Sequence, residues 1–379
     1  MKKGKDLVPI VLFLGAAALL ACSRVWVLPT VSRSESRTWC WGGDPQRTGQ
    51  NPESMAPPLE LRWLTRLSSV PGAAISAAGG TLFVGTQDGR IVMLRASNGK
   101  TEKTIKIDDR VEVTCAVRDS LLVTASRWGK PSLRGFRLLN GARIWKADAG
   151  PIESEPLLLR GKIAVGNDRS EAMVFNAATG KRIWRVLLDS PVRGNAAVSP
   201  DSVLYTTERG TLFCLSAGDG KMLWKTPLVG TVGCGPVVAD GKALIGTERG
   251  VFYAIGTTDG KEAWRFRSEG GIFLSAASDG KAAYLGTSQG ILYCLDCKTG
   301  TERWRFVTGS VIGTTPLISG DWIYFGALDK CLYAVNRKTG REGWRSLLKG
   351  RVQTSPVIWN GMLFTGSEQN AVYGFYPMD

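Results

Sequence analysis

The sequence predicts an all-β protein, an eight-bladed β-propeller of four-stranded antiparallel blades closed by an N-terminal strand, and three observations predict it. A Gly-x-x-x-Trp element recurs at Gly141/Trp145, Gly180/Trp184, Gly220/Trp224, Gly260/Trp264, Gly300/Trp304 and Gly340/Trp344, its tryptophans 39 or 40 residues apart. A second marker runs in phase, a glycine closing a short apolar run at Gly85, Gly166, Gly246, Gly286, Gly326 and Gly366, with Thr124 and Thr206 filling two gaps. Together they count eight copies. Third, each copy holds short apolar runs broken by turn dipeptides, and no stretch of the body carries a sustained 3.6-residue apolar stripe.

From the N-terminus, Lys2, Lys3 and Lys5 precede an apolar run over residues 7–20. That length matches a signal-peptide core and falls short of a membrane span. Leu19-Leu20-Ala21-Cys22 resembles the bacterial lipobox, which makes residues 1–21 a leader and Cys22 the lipidated residue. Acyl chains there would hold the protein on a membrane without a transmembrane helix. Ser23, where an aspartate would favour retention in the inner membrane, points to the outer membrane. Residues 22–58, rich in Ser, Arg, Pro and Gly, read as a flexible tether.

Residues 59–379 are the ring. The copy opening at Thr231 shows its parts: runs at 231–238, 241–245, 251–255 and 262–266, separated by Asp240-Gly241, Arg249-Gly250 and Asp259-Gly260. These dipeptides accept the positive φ of tight hairpins, so each copy is a four-stranded sheet. One such sheet cannot bury both faces, whereas eight packed around an axis can. The body opens with a strand over 59–67 that carries Trp63 in the outer-strand phase and ends at 371–376 in the third-strand phase. The last blade therefore lacks an outer strand and the N-terminus has one to lend. Trp63, Trp145, Trp184, Trp224, Trp264, Trp304 and Trp344 recur at fixed phase, which marks them as packing elements between blades and not a ligand platform. The copy at Gly99 to Lys103 has lost its Trp.

Composition limits the chemistry. The 379 residues include no histidine, which removes Ser-His-Asp and Cys-His nucleophile sites, His-ligated metals and attached haem. No phosphate-cradling glycine loop or dinucleotide fingerprint is present. Lys and Arg number 48 against 33 Asp and Glu, a formal +15. The residue after the docking Trp is basic at Lys146, Arg185, Lys225, Arg265, Arg305 and Arg345, which predicts a cationic outer rim, either an anion-attracting surface or a solvated edge that discourages strand pairing. Cys294-Leu295-Asp296-Cys297 has the spacing of a redox or metal pair, yet both positions align with small residues in sister copies, Ala254 and Cys214 for the first and Ala177 and Ala217 for the second. The cysteines beyond Cys22 are Cys40, Cys115, Cys214, Cys234, Cys294, Cys297 and Cys331, so at least one stays unpaired within the chain.

The segments 176–184 (Asn-Ala-Ala-Thr-Gly-Lys-Arg-Ile-Trp) and 296–304 (Asp-Cys-Lys-Thr-Gly-Thr-Glu-Arg-Trp) resemble the tryptophan-docking motif of PQQ-like eight-bladed propellers. Residues 39–49 are similar to the opening segment of such repeat proteins. The resemblance spans 59–379 and, with the lipobox, is strongest to the BamB-type outer-membrane assembly lipoproteins. It implies a non-catalytic envelope scaffold on the periplasmic side of the outer membrane, lipid-anchored and monomeric, with a protein partner, the β-barrel insertase, and no cofactor, metal or nucleic acid. In that family a Leu-Arg-Gly segment meets the insertase; here Val192-Arg193-Gly194 matches it, while the family's acidic pair falls on Thr231 and Gly233. Two alternatives remain on the same fold: a PQQ-dependent quinoprotein dehydrogenase and a glycan- or polymer-binding propeller. Dehydrogenases of this fold carry adjacent cysteines and a calcium or lanthanide site. No two cysteines here are adjacent, and Glu112, Glu153, Glu155, Arg193 and Asn195 are the polar groups offered to the axis.

Overall fold

The computed structural model describes residues 43–107, 115–138 and 140–378. Within them the chain forms eight antiparallel four-stranded units around one axis, an eight-bladed β-propeller as the repeat predicts. Numbering blades from the first complete copy, blade 3 runs from axis to rim as Leu157–Leu159, Lys162–Gly166, Glu171–Asn176 and Arg182–Leu187. The second and third strands are buried almost throughout, because neighbouring blades cover both their faces, and the fourth alternates toward solvent.

The repeated residues each have a mechanical reason. In the turn between third and fourth strands, Asn176 Oδ1 accepts hydrogen bonds from the amides of Ala178 and Thr179, both at 3.0 Å, and Asp296 Oδ1 does the same for Lys298 and Thr299. The Asx side chain thereby fixes a turn that the next glycine completes at positive φ. Gly300, at φ +73°, could not gain a side chain: a Cβ would lie 2.5 Å from the Trp264 indole of the preceding blade. The apolar-run glycines are constrained differently. A Cβ on Gly166 would meet Val192 at 2.1 Å, and on Gly246 it would meet Ile272 at 2.2 Å, because the following loop seats a branched residue there.

Each docking indole reaches the next blade. Nε1 of Trp145, Trp264 and Trp304 donates to the carbonyls of Ala177, Cys297 and Arg337 at 2.9 to 3.0 Å, and Trp63, Trp184 and Trp224 donate to Ala96, Ala217 and Thr257. Trp344 packs edge-on against Phe375, ring centroids 5.7 Å apart. Where blade 1 lacks its Trp, the Lys103 ammonium donates to the carbonyl of Asn140 in the next blade's turn. The outer strands are bulged just before the Trp: Trp184 faces Val174 and Arg182 faces Phe175, so Ile183 is left over and extruded.

The ring closes as predicted. Leu59–Arg66 pairs antiparallel with Ala371–Pro377, from Leu59 opposite Pro377 to Arg66 opposite Ala371, and supplies blade 8 with its outer strand. The tether reading needs correction for residues 43–58. Instead of standing off the ring, this segment crosses its inner strands: Pro45, Gln46, Thr48 and Gly49 carbonyls accept from the amides of Val198, Val238, Ser278 and Ile318 in four successive blades. Gln50–Asn51 then adds a parallel fifth strand to Leu317–Ser319. The inner strands have exposed edges at the axis, and this segment satisfies their amides. Cys22, the leader and residues 22–42 lie outside the described residues.

Candidate functional site

The two faces of the ring differ. One carries the turns between first and second strands and between third and fourth; residues 43–58 lie on it, since the Glu53 carboxylate accepts from the amides of Asn360 and Gly361 in such a turn. The opposite face carries the connections between blades, and a pit of about 160 Å³ opens there along the axis. One residue from each of six successive connections lines it: Glu153, Arg193, Gly233, Phe273, Gly313 and Gln353, all at the same repeat phase. A second hollow of about 360 Å³ lies on the other face at the closing seam, bounded by Arg62, Trp63 and Tyr376. The axial pit is the candidate site because charged groups converge on it.

At the pit's side, Glu155 is buried and its carboxylate lies 2.7 Å from the Arg47 guanidinium, with 3% of the Glu155 and 1% of the Arg47 side chain exposed. Arg47 Nε also donates to the Ala196 carbonyl at 3.3 Å. The Arg47 turn is built by Asp44, whose carboxylate accepts from the Thr48 amide at 3.0 Å and from its hydroxyl. Sequence reading placed Glu155 at the axis but missed Arg47, although the Asp44 to Gly49 motif that positions it was visible.

At the pit's mouth Arg193 sits among carboxylates: Glu208 at 3.1 Å, Glu153 at 3.4 Å and Asp168 at 3.8 Å. Arg127 shares Glu153 and Asp168 and stacks over Trp128, 4.7 Å from the ring centroid. Trp128 is 65% exposed beside Arg127, and Phe273, 50% exposed, lines the same pit as Arg193. Of the sequence-matched trio, Arg193 alone faces outward. Val192 is fully buried against Gly166, and Gly194 is buried where a Cβ would meet the Cys234 carbonyl at 2.3 Å. Asn195 Oδ1 accepts from the Glu155 amide at 2.6 Å. Glu112 lies outside the described residues.

The cationic rim is largely neutralised. Arg265, Arg305 and Arg345 pair with Glu262, Glu302 and Glu342 three residues earlier, and Arg185 pairs with Glu171.

The thiols are packing groups. Cys115, Cys214, Cys234, Cys294 and Cys297 are buried and unbridged, and Cys331 is half-buried. Burial pushes the Cys115 and Cys294 thiols up to about 12 and Cys234 up to about 11. At about pH 8 their thiolate fraction is negligible, so iodoacetamide should label Cys331 in the folded chain and the buried five only in denaturant, read by mass spectrometry. Labelling of Cys294 or Cys297 in the folded state would refute the packing assignment.

A quinone cofactor with its divalent cation does not fit the pit. Its volume is about half the lower end of the ~300–1,000 Å³ of ligand pockets. Among the described residues no group of three or more Cys, Asp or Glu is placed to hold a metal ion. No helix among them is long and apolar enough to cross a membrane.

Solved structures similar to this chain share its fold. BamB from Moraxella catarrhalis superposes with a TM-score of 0.72 at 18% identity, covering 84% of this chain and 99% of its own. The quinohemoprotein alcohol dehydrogenase ADHIIG from Pseudomonas putida gives 0.75 at 12% identity, covering 90% and 80%, and a europium-containing methanol dehydrogenase gives 0.74 at 13%, covering 89% and 98%. At these identities the likeness establishes architecture and not activity. No curated protein matches the sequence significantly. The family described as outer membrane protein assembly factor BamB matches residues 54–174, 168–310 and 288–377, and the chain belongs to that family.

Proposed function

We propose that this chain is a non-catalytic scaffold lipoprotein of the cell envelope, anchored through Cys22 on the periplasmic side of the outer membrane and acting with the β-barrel insertase. The family match over nearly the whole ring carries the reading. The site supports it: Arg193, held by three carboxylates, and the exposed Phe273 line a shallow pit, and the exposed Trp128 stacks with Arg127, which shares two of those carboxylates. Arg and Trp are the residues on which protein interfaces concentrate their energy. A ring whose connections are locked by inter-blade hydrogen bonds presents that surface with little ordering cost on binding.

Affinity purification of the tagged chain from envelope membranes tests it. The wild type should recover an insertase subunit, and Arg193→Ala combined with Trp128→Ala should lower recovery about tenfold or more, as expected for truncating two Arg and Trp anchors. Absence of an insertase subunit from the wild-type sample would remove the assembly role.

A further inference from the structure

The outer-strand bulge extrudes one side chain per blade at the corner between the rim and the face that carries residues 43–58. In blades 2, 3 and 4 that residue is Ile144, Ile183 and Leu223, 46%, 43% and 54% exposed. In blades 5, 6 and 7 it is Ala263, Arg303 and Gly343. Three adjacent large apolar groups at one corner are thus confined to one sector.

Charge divides the same way. The third-to-fourth-strand turns of blades 2–4, with the strand residue on either side, hold five cations, Arg137, Arg143, Lys181, Arg182 and Lys221, against one carboxylate, Asp219. In blades 5–7 the equivalent turns hold five cations and five carboxylates. There the charges are joined, as in Arg303–Asp296 at 2.6 Å and Lys338–Asp321 at 3.0 Å. Within the described residues no carboxylate lies within ion-pair distance of Arg143, Lys181, Arg182 or Lys221. Cations in excess over carboxylates, beside protruding Ile and Leu, match a headgroup interface, where the cations meet phosphate and the branched side chains enter the acyl boundary.

We propose that the corner formed by blades 2–4 rests on an anionic lipid surface, tilting the ring so that the axial pit opens away from the bilayer. This stands on charge and shape and does not require the assembly role.

The test is flotation of the purified full chain with vesicles of phosphatidylcholine alone or with about one-third phosphatidylglycerol, at low and high salt. The leader with Lys2, Lys3 and Lys5 and any acyl chain are common to every variant, so the difference between variants on the anionic vesicles reads the surface. Binding should be stronger to the anionic vesicles and salt-sensitive. Arg143→Glu/Arg182→Glu/Lys221→Glu should cut it more than about tenfold, while Lys261→Glu/Lys298→Glu/Arg341→Glu, with the same change in net charge on blades 5–7, should stay within about threefold. Ile144→Ser/Ile183→Ser/Leu223→Ser should reduce the binding that survives high salt. Equal binding to the two vesicle types, or an equal loss in both charge-reversal variants, overturns the proposal. So does capture of an acidic protein through these residues while vesicle binding is unaffected by their reversal.

Discussion

Replacing Arg47 by Met is expected to destabilise the ring by about 3–5 kcal/mol, because it leaves the Glu155 carboxylate buried without this cation. The pair lies 2.7 Å apart with both side chains out of water. Taking both charges out of solvent is costly, and their attraction offsets that cost only while both are present. The double variant Arg47→Met/Glu155→Gln should therefore recover most of the loss, which denaturant titration of the four members of the cycle would measure. A double variant as unstable as Arg47→Met alone would show that Arg47 acts through its packing and its bond to Ala196.

Trp264→Ala is expected to cost about 3–5 kcal/mol, the range for emptying a large aromatic site in a core. Its indole fills the space between blades 5 and 6, contacts Phe252 at 6.0 Å between centroids, and donates to the Cys297 carbonyl. Trp63→Ala should fall in the same range although Trp63 is only half-buried. Its indole lies against Gly99 and Gly374 at the seam between blades 8 and 1, and the chain ends are joined there. Releasing that seam frees the loop entropy of the whole ring, in addition to the lost contacts. Thermal unfolding and gel filtration of the two variants would check this. A loss below about 1 kcal/mol at Trp63 would mean that strand pairing alone closes the ring.

The fold was legible because its determinants repeat. The docking Trp and the turn glycine each recur at a fixed phase in seven copies, and each answers to a local requirement, a filled gap or positive φ, that is stated again in copy after copy. The candidate site was legible only in part, since function resides where the copies differ. Glu153, Arg193, Gly233, Phe273, Gly313 and Gln353 share one phase and almost no chemistry, and that unlikeness at an otherwise periodic position was the available signal for the pit. Val192 is periodic for the opposite reason. Read as part of a contact motif, it holds the place that Ile272, Ile312 and Val352 hold in sister blades, seated on a glycine. The path of residues 43–58 could not be read from composition, because Pro, Gly and Ser mark irregular backbone without saying whether it is solvated or packed. Its bonds to inner strands are non-local, and periodicity reports only neighbours.

The segment that bridges the inner strands also sets an order of events during biosynthesis. Asn51 must meet the carbonyl of Ile358, 307 positions later, and Arg47 must meet Glu155, 108 positions later. A ribosome delivers the early partner long before the late one, so the axial seal cannot mature until nearly the entire polypeptide has emerged. Contacts so distant in sequence slow folding. The nascent molecule therefore passes through an incomplete, unsealed stage in which its hub is accessible to chaperones and proteases.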